Sequence, residues 1–391
     1  MRLKTWVKIG LGLGALALVL TGLSSCSGGS IKLLVAVPLS GEQEQSGKGV
    51  LNGVQLAVDQ WNAKGGIKGR KIVIIQGDDQ GDPNTAVKLA KEWESKVDAV
   101  IGDYNSSCTL AAEEIYGKDK ILMVTPSSTN PDVTDRGYFT IFRVCGRDDQ
   151  QGKSAAKYVA DHFPGAKVAV IHDKSSYGQD LANEFLKNYE FLTKTQAAFY
   201  GGIDRAQPVY TDEVNKVKAV DPTVVYFGGL WPQGAELLKE MRQAGMNVTF
   251  VSGDGCFDPQ FIKRAGKDAD GALVTFIPNQ ELLPSAKAVV EAYKQQFGPL
   301  LPYSLYGYTA ADVVLQAMKQ SGSTDPVTVS QTLHKMEFST PMGTLKFDDK
   351  GDPQQSPYVM WQVENGKFVE VPMAASAPAA APAPAPEPAK K

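Results

Sequence analysis

The sequence predicts an α/β fold, two lobes built on parallel sheets, and three features predict it. Strand-like apolar runs recur roughly every 25 residues, with helical patterns between them. The runs are continuously apolar rather than alternating, as expected of parallel strands buried on both faces. The loops DYNSS, TPSSTN, HDKSSYG, GGLWP and SGDG each follow such a run at its C-terminal side, where open α/β sheets place their ligands. These five polar loops come from both halves of the chain and fit two lobes whose strand ends face a shared cleft. At 391 residues, two domains are expected rather than one core.

Taken in order, the chain begins MRLKTWVK, with Arg2, Lys4 and Lys8, followed by the uncharged IGLGLGALALVL of residues 9–20. Twelve residues make a helix of only ~18 Å against the ~30 Å of a bilayer core, the pattern of an export signal rather than a membrane span. The segment closes on LSSC, residues 23–26, which resembles the lipobox of bacterial lipoproteins. Residues 1–25 are therefore read as a signal peptide and Cys26 as the lipid attachment that anchors the protein to a membrane outside the cytoplasm. SGGS, 27–30, is a tether. Loss of the leader takes the formal charge from −3 to −6. No basic block follows, so nucleic acid is excluded as a partner.

IKLLVAVPLS (31–40) is the first strand run, and the next segment sets Val50, Val54, Val58 and Trp61 on one helical face. KIVIIQGDD (71–79) is a second strand, and Asp82-Pro83 starts a helix, an N-cap followed by proline at the first helical position. DAVIGD, ILMVTPSS, KVAVIHD, TVVYFGG, NVTFVSGDG and GALVTFIP supply further strands. MGTLKFDDKGD (342–352) and PYVMWQVENGKFVEV (357–371) read as short strands, the second with an Asn365-Gly366 hairpin turn. Residues 374–391, AASAPAAAPAPAPEPAKK, have too little bulk apolar content to join a core and are expected to be an extended, disordered tail.

Cys108, Cys145 and Cys256 remain after Cys26, with no C-x-x-C pair, and histidine is scarce. No metal or haem site is implied, and no cofactor. One disulfide plus a free thiol, or three reduced thiols, both fit the spacing. No G-x-S-x-G elbow or metal-ligand spacing supports an enzyme. His172, at a strand end within reach of the cleft, is the sole histidine that a hydrolase reading could use.

IGDYNSSCTLAAEEI (101–115) ends a strand in Gly-Asp and opens a helix on Ser106 and Ser107. Unpaired N–H groups and the positive end of the helix dipole suit an anion there, although a serine at a helix start is ordinarily a cap.

NAKGGIKGRKIVIIQGDDQGDP (62–83), DAVIGDYNSS, ILMVTPSSTNPDVT, IHDKSSYGQDLA (171–182) and MGTLKFDDKGD resemble the Leu/Ile/Val-type substrate-binding proteins of ABC transporters. The likeness runs from about residue 31 to 371, essentially the whole folded unit. It implies a type I periplasmic-binding fold with crossings near residues 146, 276 and 352, closing on a small solute without catalysis. One lobe would hold residues 31–146 and 277–352, the other 147–276 and 353–373. The implied partners are an amino-acid ligand and ABC permease subunits, and the protein is expected to be a monomer.

The resemblance puts the ligand carboxylate on Ser106 and the helix N-terminus, with Ser127 and Thr129 holding carboxylate and ammonium. The family's ammonium-binding glutamate matches Asp254, one methylene shorter and followed by Gly255. Tyr177 matches a cleft-lining tyrosine. Leu230 and Cys256 are apolar neighbours, and no Arg or Lys sits in the matched loops near the side-chain end, so Leu, Ile and Val are the expected ligands. The chain departs from its relatives in Gly228-Gly229-Leu230, followed by Trp231, and in Ser46, where a relative has an aromatic. The half-cystines of some members fall on Gly81 and Asn105. Tyr303, Tyr306 and Tyr308 are candidates to reach the cleft. Another amino acid, an aromatic acid, urea or short amides, or a sensory role on the same fold, are the alternatives.

Overall fold

The structure, a computed structural model, describes residues 29–373. The leader, Cys26 and the Ala/Pro tail lie outside those residues. Five parallel strands form the first sheet: β1 (Ile31–Val37), β2 (Ile72–Asp78), β3 (Ala99–Gly102), β4 (Met123–Thr125) and β5 (Ile141–Arg143), in the order β2-β1-β3-β4-β5. The second sheet holds β6 (Val168–His172), β7 (Phe199–Gly202), β8 (Val224–Gly228), β9 (Thr249–Ser252) and β10 (Leu273–Phe276). A separate ribbon pairs β11 (Glu337–Thr340) with β12 (Gly343–Lys346). The hairpin β13 (Val359–Glu364) and β14 (Lys367–Val371) then adds antiparallel to β10, giving seven strands in the order β14-β13-β10-β9-β8-β6-β7. Asn365 and Gly366 take φ of 50° and 76°, the left-handed pair a two-residue hairpin turn needs.

The helices are α1 (Glu44–Ala63), α2 (Pro83–Trp93), α3 (Ser106–Lys118), the single turn α4 (Asp132–Asp135), α5 (Asp148–His162) and α6 (Ser176–Thr193). They continue with α7 (Thr211–Ala219), α8 (Trp231–Gln243), α9 (Pro259–Ala265), α10 (Lys287–Phe297), α11 (Ser304–Ser321) and α12 (Pro326–Lys335). Asp82 caps α2 as its sequence indicates, accepting from Thr85 N–H at 2.8 Å with Pro83 at the first helical position.

Strand periodicity explains the layers. In β1, Leu33, Val35 and Val37 enter the core shared with α1 and α11, while Leu34 and Ala36 join that of α2 and α3. In the second sheet, Ile171 and Phe227 pack with Leu237 of α8, and Val170 and Tyr226 with Phe185 of α6. Both faces of the central strands are therefore dry, which is why their runs read as continuously apolar. The α1–α11 contact depends on glycine. A Cβ on Gly53 would lie 1.9 Å from Ser304 O, and one on Gly307 would lie 2.4 Å from Val50 O.

The chain passes between the sheets after β5, after β10 and between β12 and β13. Asp352, on the third passage, ties it to the first. Its carboxylate accepts from the fully buried Arg143 Nε at 2.6 Å and from Arg147 Nη1 at 2.7 Å. Among the described residues, no helix is long and apolar enough to cross a membrane. The three cysteines beyond Cys26 are buried free thiols.

Candidate ligand-binding crevice

Strand C-termini of both sheets meet at a small cavity of about 20 Å³, lined by Tyr104, Asn105, Ser106, Ser127, Tyr177, Leu230, Asp254, Gly255 and Tyr303. Six of the seven ligand residues expected from the sequence are on this wall. Thr129 is the exception: it is fully buried and its hydroxyl has no hydrogen-bond partner. Its carbonyl accepts from Asp148 N–H at 2.9 Å, which draws the residue behind the wall.

The first lobe's wall is a backbone wall. Asn105 is the N-cap of α3 by position, with extended backbone, but its side chain does not cap. Instead its amide exchanges hydrogen bonds with Gln43, at 3.0 and 3.2 Å. The first helical bonds run from Cys108 and Thr109 N–H to Asn105 C=O, so the N–H groups of Ser106 and Ser107 at the helix mouth are left for another acceptor. Ser106 is thus the first helical residue rather than the cap. Gly81 and Asn105, where some relatives have half-cystines, are neighbours: a Cβ on Gly81 would lie 3.0 Å from Asn105 Nδ2 and 2.9 Å from Gln43 Oε1. The Gln43–Asn105 pair does the cross-linking there.

Ser127 donates to Tyr104 C=O at 2.8 Å, and Thr125 Oγ1 donates to Asp103 C=O at 2.8 Å, so the loops after β3 and β4 are laced together. Arg143 braces the second loop from below, donating from Nη1 to Ser128 C=O at 2.8 Å and to Asn130 C=O at 2.9 Å.

The second lobe's wall carries formal charge. Asp254 opens a short turn after β9 and is 6 % exposed. Tyr177, in the first turn of α6, donates to Asp254 Oδ1 at 2.8 Å and accepts from Gly255 N–H at 2.9 Å. Gln151 of α5 grips the same residue twice: Nε2 donates to Asp254 Oδ1 at 2.7 Å, and Oε1 accepts from Asp254 N–H at 2.8 Å. Thr275 Oγ1 also donates to Gln151 Oε1, at 2.8 Å. Burial pushes the Asp254 carboxyl up, partly offset by its bonds from Tyr303, Gln151 and Tyr177. Asp148 is raised as well, by burial and then by the charge of Asp254. A side chain at position 255 is excluded: its Cβ would meet Gly229 O at 2.7 Å and the Tyr177 ring at 2.8 Å.

Of the three candidate tyrosines, Tyr303 reaches the crevice. It precedes α11 in the left-handed conformation (φ 61°, ψ 7°), an uncommon backbone for a bulky residue, and its phenol donates to Asp254 Oδ2. Tyr306 faces a larger cavity of about 300 Å³ behind the crossings, and Tyr308 donates to Gln60 Oε1 at 2.7 Å. Gln151, Tyr104 and Asn105 were not anticipated. The lobes are also joined by Ser46 Oγ to Asp258 Oδ2 (2.7 Å), Asn130 Nδ2 to Asp180 Oδ2 (2.7 Å) and Arg264 Nη2 to Glu42 Oε1 (2.6 Å).

His172 is not on the crevice wall. It is buried, accepts from Lys174 N–H at 3.2 Å and packs against Tyr200 at 5.2 Å, and burial lowers its pKa. Among the described residues, no group of three or more His, Cys, Asp or Glu is arranged to hold a metal ion.

Residues 30–367 match the family described as periplasmic binding protein. The chain belongs to that family. A Leu/Ile/Val-binding protein homolog 1 from Brucella suis is 37% identical over 334 residues, 85% of this chain and 90% of the relative. A leucine-, isoleucine-, valine-, threonine- and alanine-binding protein from Pseudomonas aeruginosa is 33% identical over 350 residues, 88% and 94% of the two chains. Among solved structures, a leucine binding protein from Thermotoga maritima superposes with a TM-score of 0.81 at 28% identity, covering 88% of this chain and 98% of that one. This periplasmic binding protein therefore has the two-lobed type I fold.

Proposed function

We propose that the protein captures an amino acid between its lobes, branched-chain ones foremost, and delivers it unchanged to an ABC permease from a lipid anchor on Cys26. One observation carries the reading: a helix mouth with free N–H groups on one wall of the crevice faces a buried carboxylate on the other. That polarity fits a zwitterion. The carboxylate would sit at Ser106 and Ser127, with the buried, unpartnered Thr129 hydroxyl behind them as a further donor. The ammonium would sit at Asp254. Leu230 adds an apolar side to the wall, and the relatives named for Leu, Ile and Val point the same way.

The cavity has room for about one water, so an amino acid enters only when the lobes part. Reclosure then swings Tyr177 and Asp254 over the solute and excludes water, which strengthens each polar contact. The domain boundaries near residues 146, 276 and 352 are the proposed hinges.

The test takes residues 27–391, strips co-purified solute by partial unfolding, and records melting temperature with the standard amino acids, urea, acetamide and benzoate. At ~1,000 times Kd a ligand adds about 4 kcal/mol, a shift of several degrees. Shifts with leucine, isoleucine and valine are expected. A response to benzoate or amides alone overturns the reading.

A further inference from the structure

Asp254 does not face the crevice alone. A carboxylate offers four lone-pair sites. Three are taken: two on Oδ1, by Tyr177 and Gln151, and one on Oδ2, by the Tyr303 phenol. One acceptor site on Oδ2 is therefore left, too little to satisfy an ammonium group with three N–H donors. The Tyr303 hydroxyl spends its single proton on Asp254 and retains two lone pairs of its own. Among the described residues, no donor reaches that oxygen. The phenol and Oδ2 lie side by side on the cavity wall, contributed by opposite lobes.

We propose that Asp254 and Tyr303 together form a two-acceptor seat for the ligand ammonium, with Oδ2 and Oη each taking one of its N–H groups. This rests on the amino-acid reading above and assigns Tyr303 as a residue that selects for the α-amino group. The seat is rigid. The Tyr303 ring stands edge-on to Tyr104 at 5.8 Å and to Phe276 at 5.3 Å, and Tyr306 lies 5.4 Å away. The backbone at Tyr303 is fixed in a left-handed turn before α11. Because one acceptor comes from each lobe, the seat exists only when the lobes are shut. Recognition of the amine and closure are then one event, and a solute with a carboxylate but no amine closes the protein less well.

The experiment compares leucine with 4-methylpentanoate, which is leucine without its amino group, on the wild type and on Tyr303→Phe. Titration calorimetry reads the first ligand and ligand-observed NMR the second. Phenylalanine keeps the ring packing, and an unchanged melting temperature without ligand verifies that the variant is folded. Loss of a charge-assisted bond predicts about 10- to 100-fold weaker leucine binding and less than about twofold change for 4-methylpentanoate. Equal losses for both solutes would make Tyr303 a packing residue and overturn the proposal. So would unchanged or tighter leucine binding, which would mean that the phenol ignores the amine or competes with it. If the wild type binds none of the amino acids, the amino-acid reading itself falls. If it binds leucine and the two solutes respond alike, only this inference does.

Discussion

The two walls of the crevice present opposite polarity by different means. The first lobe uses the open N-terminus of α3 and the neutral hydroxyls of Ser106 and Ser127, with no ionised group on the wall. The second uses a buried carboxylate, Asp254. Backbone N–H groups at a helix mouth provide positive potential without taking a cation out of water. A strand-end loop has no equally cheap source of negative potential, so the second wall carries a real charge and the donors that tolerate it. Each wall is held by one fully buried polar side chain, Arg143 under the first and Gln151 behind the second. Arg143 fixes loop backbone, whereas Gln151 fixes a side chain and its own N–H at once.

If that contrast is right, the braces and the binding groups fail differently. Arg143→Met should cost the most, about 3–5 kcal/mol in denaturant unfolding, because Asp352 and the carbonyls of Ser128 and Asn130 lose a buried partner. Asp254→Asn keeps the shape and removes the charge. Amino-acid affinity by calorimetry should fall by about 2–5 kcal/mol, on the order of 30- to 5,000-fold. A drop under threefold would show that the second wall is not an ammonium site. Gln151→Leu leaves Asp254 charged but unheld, and affinity should fall by about 1–3 kcal/mol. Ser106→Ala deletes a hydroxyl and spares the helix N–H groups, so a loss of at most ~1 kcal/mol is expected. A larger loss would move the weight of the first wall from backbone to side chain.

The smallest effect is at the hinge. The bonds from Arg147, then Lys350, hold the Asp135 carboxyl down to about 2 from 3.8. A depressed carboxyl contributes stability above its unfolded value and loses it as pH falls, here between 3.8 and about 2. Because Asp135 is partly exposed, Asp135→Asn should flatten the acid limb of the pH–stability curve by less than about 1 kcal/mol.

What could be read from the sequence follows burial. The long strands and the Asp82-Pro83 and Asn365-Gly366 signals were legible because each is a local pattern. β5 and β7 were not: the first is three residues ending in Arg143, and the second, FYGG, is a half-exposed edge with two glycines. Asp254 could be placed from its strand-end loop. Gln151 could not, because its partner lies 103 residues away and nothing in DDQQG marks its first and last polar residues, Asp148 and Gln151, as the ones that point inward. Tyr303 is one of three tyrosines within six residues, and it alone lies ahead of α11, in the left-handed turn at the helix start. Ser46 stands where a relative has an aromatic, and its bond to Asp258 spans 212 residues, too far for a local pattern to show.

The glycine seam between α1 and α11 also bears on the order of assembly. Trp61 of α1 donates to Asp312 of α11 across a separation of 251 residues. During synthesis from the N-terminus, the sheet that is made first cannot cover its α1 face until α11 arrives. β6 to β10, in contrast, lie in one stretch of chain between the first two crossings. The half of the molecule that begins earliest is thus completed late, and a chain broken off before Ser304 would lack the helix against which Gly53 of α1 packs.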